Sequence, residues 1–185
     1  MAGGREFDRE RFKELILYIA DQSADDPRFG MSKLNKILYF ADFKAFGIIG
    51  RSITGATYER RDGGPAPREM LAALREMEDI GEIVRIERDY LNYRQKVVQA
   101  LRPSQAHEVF EDREREIVSV ILGELRTRDS DQVRVLSSLD HGWRLADRGE
   151  EVPYEWAYIS DREPTPSELK LWRQDIDEYR TRKTG

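Results

Sequence analysis

The chain holds two histidines, His107 and His141, far apart in sequence and outside any His-x-x-x-His pair, the spacing that would let one helix face hold a metal. Ser138, Asp140 and His141 stand close together, with Asp42 as a second carboxylate, and these are the residue types of a nucleophilic hydrolase. A triad is assembled in space and needs an oxyanion hole, so closeness in sequence is no signal of one. A hydrogen bond at a helix end is the more ordinary role for His141. There is no cysteine, which removes thiolate zinc sites, thiol catalysis and disulfides. Carboxylates are everywhere in a chain that is 36% charged, so no pair stands out as an acid–base couple. Gly63-Gly64-Pro65 marks a turn but lacks the lysine and spacing of a phosphate loop. These residues point away from an enzyme, a metal or a cofactor. A hydrolase using Asp42 or Asp140 with His141 is the weakest function they allow.

The polar residues that ask for an explanation lie in KLNKILYFADFKAFG, Lys33 to Gly47. Lys33, Asn35, Lys36, Asp42 and Lys44 are threaded through an otherwise apolar segment. At about 100° per residue, Leu34, Leu38, Ala41 and Ala45 share one face, while Tyr39, Phe43 and Phe46 spread over the other. A helix apolar nearly all round is central in its domain. Asn35 and Asp42, seven apart, stack on one stripe. Stranding either in the interior costs on the order of 1–3 kcal/mol, so both require partners. They either line a ligand or partner site or tie the helix to the loop that follows. The second is expected: Asn35 and Asp42 anchor the RSITG segment, with Ser52 and Thr54, and hold Tyr58. Lys33 and Lys36 join this polar core, their stems lying along apolar surface.

The elements around this helix follow from local signals. A first helix spans about Arg9 to Asp21, with Asp8 as its cap, a Phe7–Phe12 staple, and Phe12, Leu15, Ile16 and Ile19 inward. Ser32 is the expected cap of the second helix. Ile53 to Glu59 reads as a short strand. Pro67 suits the first turn of a third helix, which points Met70, Leu71, Leu74 and Met77 inward and stops near Gly81. Ile83–Arg88 and Gln95–Leu101 read as a hairpin. A fourth helix from Arg113 to Thr127 buries Ile117, Val120, Ile121 and Leu125. A fifth, capped by Ser130, carries Val133, Leu136 and Leu139. Trp143, Tyr154, Trp156 and Tyr158 are core lids or a partner surface. A last helix begins at Thr165 or Ser167, with Leu169, Trp172, Ile176 and Tyr179 on one side.

The expected class is α+β, mainly helical: a central buried helix in a helical bundle with a small antiparallel hairpin, partly winged-helix-like. One domain over residues 7–180 is expected between flexible ends, 1–6 and 181–185. With 31 Lys and Arg against 36 Asp and Glu, the formal charge is −5 and the signs alternate along the chain. Net charge does not draw such a protein to phosphate, so DNA is disfavoured though left open. No apolar run approaches the roughly 20 residues of a membrane span. No secretory signal core is present at the start. A cytoplasmic location is expected.

The order of motifs resembles the Panacea domain, the SocA-like antitoxin family, some of whose relatives are phage-associated. The specific pieces are SKLNKILYFADF (Ser32–Phe43), GRSITGATY (Gly50–Tyr58) and GPAP (Gly64–Pro67). Weaker likeness continues through LSSLDHGW (Leu136–Trp143) and EVPYE (Glu151–Glu155). The chain departs from the family where Asp140–His141 replaces a Ser-His or Thr-His pair. The resemblance implies no catalytic residue and no cofactor. It implies a protein-binding module that neutralises a toxin, encoded by an adjacent gene, through direct contact, with a homodimer left open. Arg51, Tyr58, Arg60, Arg61, Trp143, Tyr154 and Trp156 are the candidate contacts, since binding hot spots favour Trp, Tyr and Arg. The alternative is a winged-helix DNA-binding regulator, which could control its own promoter; its third helix, REMLAALREMEDIGE, carries more acids than bases.

Overall fold

A computed structural model places residues 5–91, 93–139 and 144–159. Asp8 opens α1 (Arg9–Gln22), its carboxylate accepting from the Arg11 amide at 3.1 Å. Phe7 and Phe12 meet edge to face with centroids 5.7 Å apart, the expected staple. Phe12, Leu15, Ile16 and Ile19 are buried.

Helix α2 (Met31–Ile49) lies at the centre, packed against α1 and against several of the elements introduced below. Ile37, Leu38 and Ala41 are 0–1% exposed. The helix starts behind Gly30, with no side chain capping it, and not behind Ser32. A Cβ on Gly30 would stand 3.2 Å from Gln95 Oε1 and 3.3 Å from the Lys96 carbonyl. Tertiary approach sets this boundary, which local sequence cannot report. Gly50 ends the helix in the left-handed conformation, φ +75.

Residues 52–57 are irregular, where a strand from Ile53 was expected. The Ile53 and Thr54 amides and the Thr54 hydroxyl are spent on a side chain of α2, and the Gly55, Ala56 and Thr57 amides on other side chains, so no ladder forms until β1 (Tyr58–Arg61). That strand pairs antiparallel with β2 (Gly64–Pro67), Tyr58 opposite Pro67 and Arg61 opposite Gly64. Pro67 therefore closes a strand and does not open a helix. Helix α3 (Met70–Asp79) begins behind Glu69, whose carboxylate accepts from the Thr57 amide at 3.1 Å. It buries Met70, Ala73, Leu74 and Met77; Leu71, expected inward, is 60% exposed.

Strands β3 (Ile83–Tyr90) and β4 (Tyr93–Ala100) form the second hairpin, Ile83 opposite Ala100. A short α4 (Ala106–Val109) precedes α5 (Asp112–Arg126). Glu111 and Glu114 form a reciprocal capping box at the start of α5. Its inward set holds Val118 in place of Val120, which is 45% exposed. Asp129, not Ser130, caps α6 (Ser130–Leu139): Oδ1 accepts from the Gln132 amide at 2.8 Å and Gln132 Oε1 accepts from the Asp129 amide at 3.0 Å. The chain then returns along β1, the Val152 amide donating to the Tyr58 carbonyl at 2.8 Å, and enters a 3-10 turn, Tyr154–Tyr158.

The class is α+β and mainly helical, and the described residues form two separate two-stranded antiparallel sheets. The packing partners of α2 include α5, α6, β2 and the 3-10 turn. Asp140, His141, Trp143 and the helix expected after Thr165 lie outside the described residues.

Gly55 sits in this scaffold at φ +72, where a Cβ would fall 2.5 Å from the carbonyl oxygens of Arg5 and Glu6. Gly55→Ala is expected to destabilise by about 2 kcal/mol, read as a lower urea midpoint at unchanged m-value.

Candidate functional site

Asp42 is fully buried on α2 and faces the loop that follows that helix. Oδ1 accepts from the Ile53 and Thr54 amides, both at 2.8 Å. Oδ2 accepts from Thr54 Oγ1 at 2.5 Å and from the Tyr58 hydroxyl at 2.8 Å. The Tyr154 hydroxyl stands 3.4 Å from the same oxygen and donates to the Ala56 carbonyl at 2.6 Å. Ser52 is buried too, its hydroxyl accepting from the Gly55 amide at 3.1 Å. Burial pushes the Asp42 carboxyl above its usual range, and the hydrogen bonds from Thr54, Tyr58 and Ile53 pull the other way. Tyr58 is held well above the usual phenol range, first by burial and then by the charge of Asp42, so it stays a donor. Both carboxylate oxygens are occupied and no substrate has an approach to them. The arrangement is a clamp.

The loop is gripped from its other side as well. Thr54 O accepts from the Asp8 amide at 2.8 Å, Ile53 O from Arg11 Nε at 2.9 Å, and Ser52 O from Arg5 Nε at 3.2 Å. Arg11 and Arg5 also reach the buried Glu114 carboxylate, at 2.6 and 3.3 Å. Sequence reasoning missed Arg5, Arg11 and Glu114; the one available signal was an acid three residues after Glu111 at a helix start.

The other polar residues of α2 diverge. Lys33 is buried, its Nζ 2.6 Å from Asp26 Oδ2 and 3.0 and 3.3 Å from the Arg128 and Arg126 carbonyls at the end of α5. An ammonium there meets the negative end of that helix. Asn35 does not anchor the RSITG loop: it is half-buried, and its Oδ1 is enclosed without a partner. Seven residues put it about 10.5 Å along the axis from Asp42, beyond the reach of the loop. Lys36 is 2% exposed and packs against Gly64, where a Cβ would stand 3.0 Å from its Nζ and 2.8 Å from Ser137 Oγ. Burial, and then the positive charge of Arg134, lower the Lys36 pKa to about 8.

The candidate contact residues are spread unevenly. Tyr58, at 1% exposure, is interior and cannot meet a partner directly; its hydroxyl is committed to Asp42. Arg51 is part-exposed and ion-paired with Glu111. Arg60 donates to the Ala146 carbonyl at 2.6 Å, and Arg61 pairs with Glu59 at 2.5 Å on the surface. Tyr154 is half-buried, its ring 4.7 Å from that of Phe43 and 5.5 Å from that of Phe46. Trp156 packs half-buried on the core. Beside them Tyr158 and Ile48 remain open, at 55% and 49% exposure. Ile48 escaped notice; its signal was the i, i+4 spacing with Phe40 and Lys44. Among the described residues no group of three or more His, Asp or Glu side chains could hold a metal ion. No helix among them is long and apolar enough to cross a membrane.

Two substitutions separate these roles. Asp42→Asn turns a hydrogen-bond acceptor pair into one acceptor and one donor facing donors, and is expected to cost about 3 kcal/mol in urea unfolding. For Lys36 the folded-state pKa of about 8 lies below the 10.5 of the free amine. The unfolded chain therefore binds the extra proton between those values, and this group adds stability as pH rises from 8 to 10.5, by up to about 3 kcal/mol. Lys36→Met should be the more stable chain at pH 7, and that advantage should shrink at pH 10.

No curated protein and no solved structure matches the chain. The family model of the antitoxin SocA-like Panacea domain matches residues 34–144, more than half of the sequence. That span contains Asp42, the loop it clamps, both hairpins and the packing of α5 and α6 on α2. By this match the chain belongs to the SocA-like antitoxin, Panacea domain family.

Proposed function

We propose that this protein is a cytoplasmic antitoxin that neutralises a partner toxin, the product of an adjacent gene, by direct protein–protein contact. The family match over residues 34–144 carries the reading. The geometry adds physical support. The clamped loop and the 3-10 turn are fixed to the core by buried hydrogen bonds, and a preorganised face binds without a large ordering cost. Where that face meets solvent it presents part-exposed Trp156 and Tyr158 with Arg51 on the rim, side chains that favour binding hot spots.

A DNA-binding role finds less support. The exposed side of α3 carries Asp79 as well as Arg75, and Glu76 and Glu78 lie along the same helix. Those acids, on a protein of formal charge −5, oppose the approach of phosphate.

The test is co-expression and pull-down with each adjacent gene product. One such product should arrest growth alone, be relieved by this protein, and co-purify with it. Tyr158→Ala should weaken that binding at least about tenfold while leaving the urea midpoint nearly unchanged. Harmless neighbours throughout would sink the proposal.

A further inference from the structure

Helices α2 and α5 run side by side in opposite directions. Lys33, near the start of α2, reaches the carbonyls of Arg126 and Arg128 at the end of α5, and Arg51, just past α2, pairs with Glu111 at the start of α5. Phe40, Lys44 and Ile48 succeed one another a turn apart along one side of α2. Phe40 and Lys44, with Ile121, Glu124 and Leu125 of α5 and Leu136 of α6, enclose a groove of about 190 Å³. That is below the roughly 300–1,000 Å³ of small-molecule pockets. Lys44 and Glu124 carry the only charges among those lining residues. They face each other at 3.9 Å with side chains 45% and 60% exposed, a loose pair that leaves each room for a second counter-charge. One turn further, the antiparallel course sets Ile48 of α2 level with Val120 of α5, 49% and 45% exposed.

The face thus holds one cation and one anion at one level, and two exposed aliphatic side chains at the next. A wholly acidic or wholly basic partner would set one of its charges against a like charge. The pattern is complementary to itself. A two-fold axis along the seam between α2 and α5 lays each α2 on the α5 of the other copy, at the same level and again antiparallel. Four helices then form a bundle whose corners alternate in sign at one level, with the aliphatic level beside it shut from water. We propose that a second copy of this chain covers the groove in this way, Lys44 of each copy meeting Glu124 of the other, and Ile48 meeting Val120. The contact spans about 12 Å of helix, from Phe40 to Ile48, so a dissociation constant in the micromolar range is expected. The 3-10 turn packs on the Phe43 and Phe46 side of α2, so the dimer leaves the face proposed for the toxin open on both copies.

Charge reversal tests the pairing. The purified full chain, its Lys44→Glu variant and its Glu124→Lys variant are each followed by sedimentation equilibrium from about 1 to 200 µM. The wild type should dimerise within that range. Each variant should dimerise at least about tenfold more weakly with its urea midpoint nearly unchanged, because its homodimer sets like charges face to face twice. An equimolar mixture of the two variants should recover the dimer, since two acids meet two bases only in the mixed pair. With one variant isotope-labelled, native mass spectrometry should find that mixed species. A wild type that stays monomeric throughout would overturn the proposal. So would a dimer indifferent to both reversals, or variants that stay apart in the mixture. A monomeric wild type whose capture of a toxin falls on charge reversal would give the groove to the toxin instead. The measurement needs no toxin, so its failure is distinct from failure of the neutralisation reading.

Discussion

The structure depends on one carboxylate. Asp42 is fully buried, and its charge is met by two loop amides and two hydroxyls. Burying an ion costs several kcal/mol unless its lone pairs are filled. An irregular loop in the interior has the converse problem, since its amides need acceptors that no ladder supplies. Asp42 and residues 53–58 solve both at once, and neither arrangement is stable without the other. Arg5, Arg11 and Asp8 hold the outer side of the same loop and join it to α1 and, through Glu114, to α5.

This coupling explains why the family motifs come as a set. SKLNKILYFADF brings Lys36 and Asp42; GRSITGATY brings Ser52, Thr54 and Tyr58; GPAP brings Gly64, against which Lys36 and Ser137 pack. Segments separated in sequence thus meet around one helix, in two separate polar groups. The Asp42 clamp supplies stiffness: loop amides and hydroxyls fill both carboxylate oxygens. The family description supplies an antitoxin role in general terms.

The two buried lysines of α2 show how position on a helix decides electrostatics. Lys33, near the start of α2, reaches Asp26 and the terminal carbonyls of α5. Lys36, one turn later, meets the backbone of Gly64 and the charge of Arg134, and burial and that charge hold its proton more weakly than on a free amine. The same residue type in the same motif thus contributes attraction at one site and a burial cost at the other.

Much of the scaffold was legible because it is written in short-range pattern. The 3–4 spacing of Phe12, Leu15, Ile16 and Ile19, the all-round apolarity of α2, and the two adjacent strand-like runs Ile83–Arg88 and Gln95–Leu101 depend on residues a few positions apart. Asp42 could be assigned to the following loop because that loop is close in sequence. The start of α2 at Gly30, the loss of strand before Tyr58, and the exposure of Leu71 and Val120 were decided by neighbours distant in the chain. So was the isolation of Asn35: it shares a stripe with Asp42, but the loop crosses only one end of it. Periodicity states which side of a helix a residue occupies; only the folded chain states what lies opposite, because that depends on where other segments arrive.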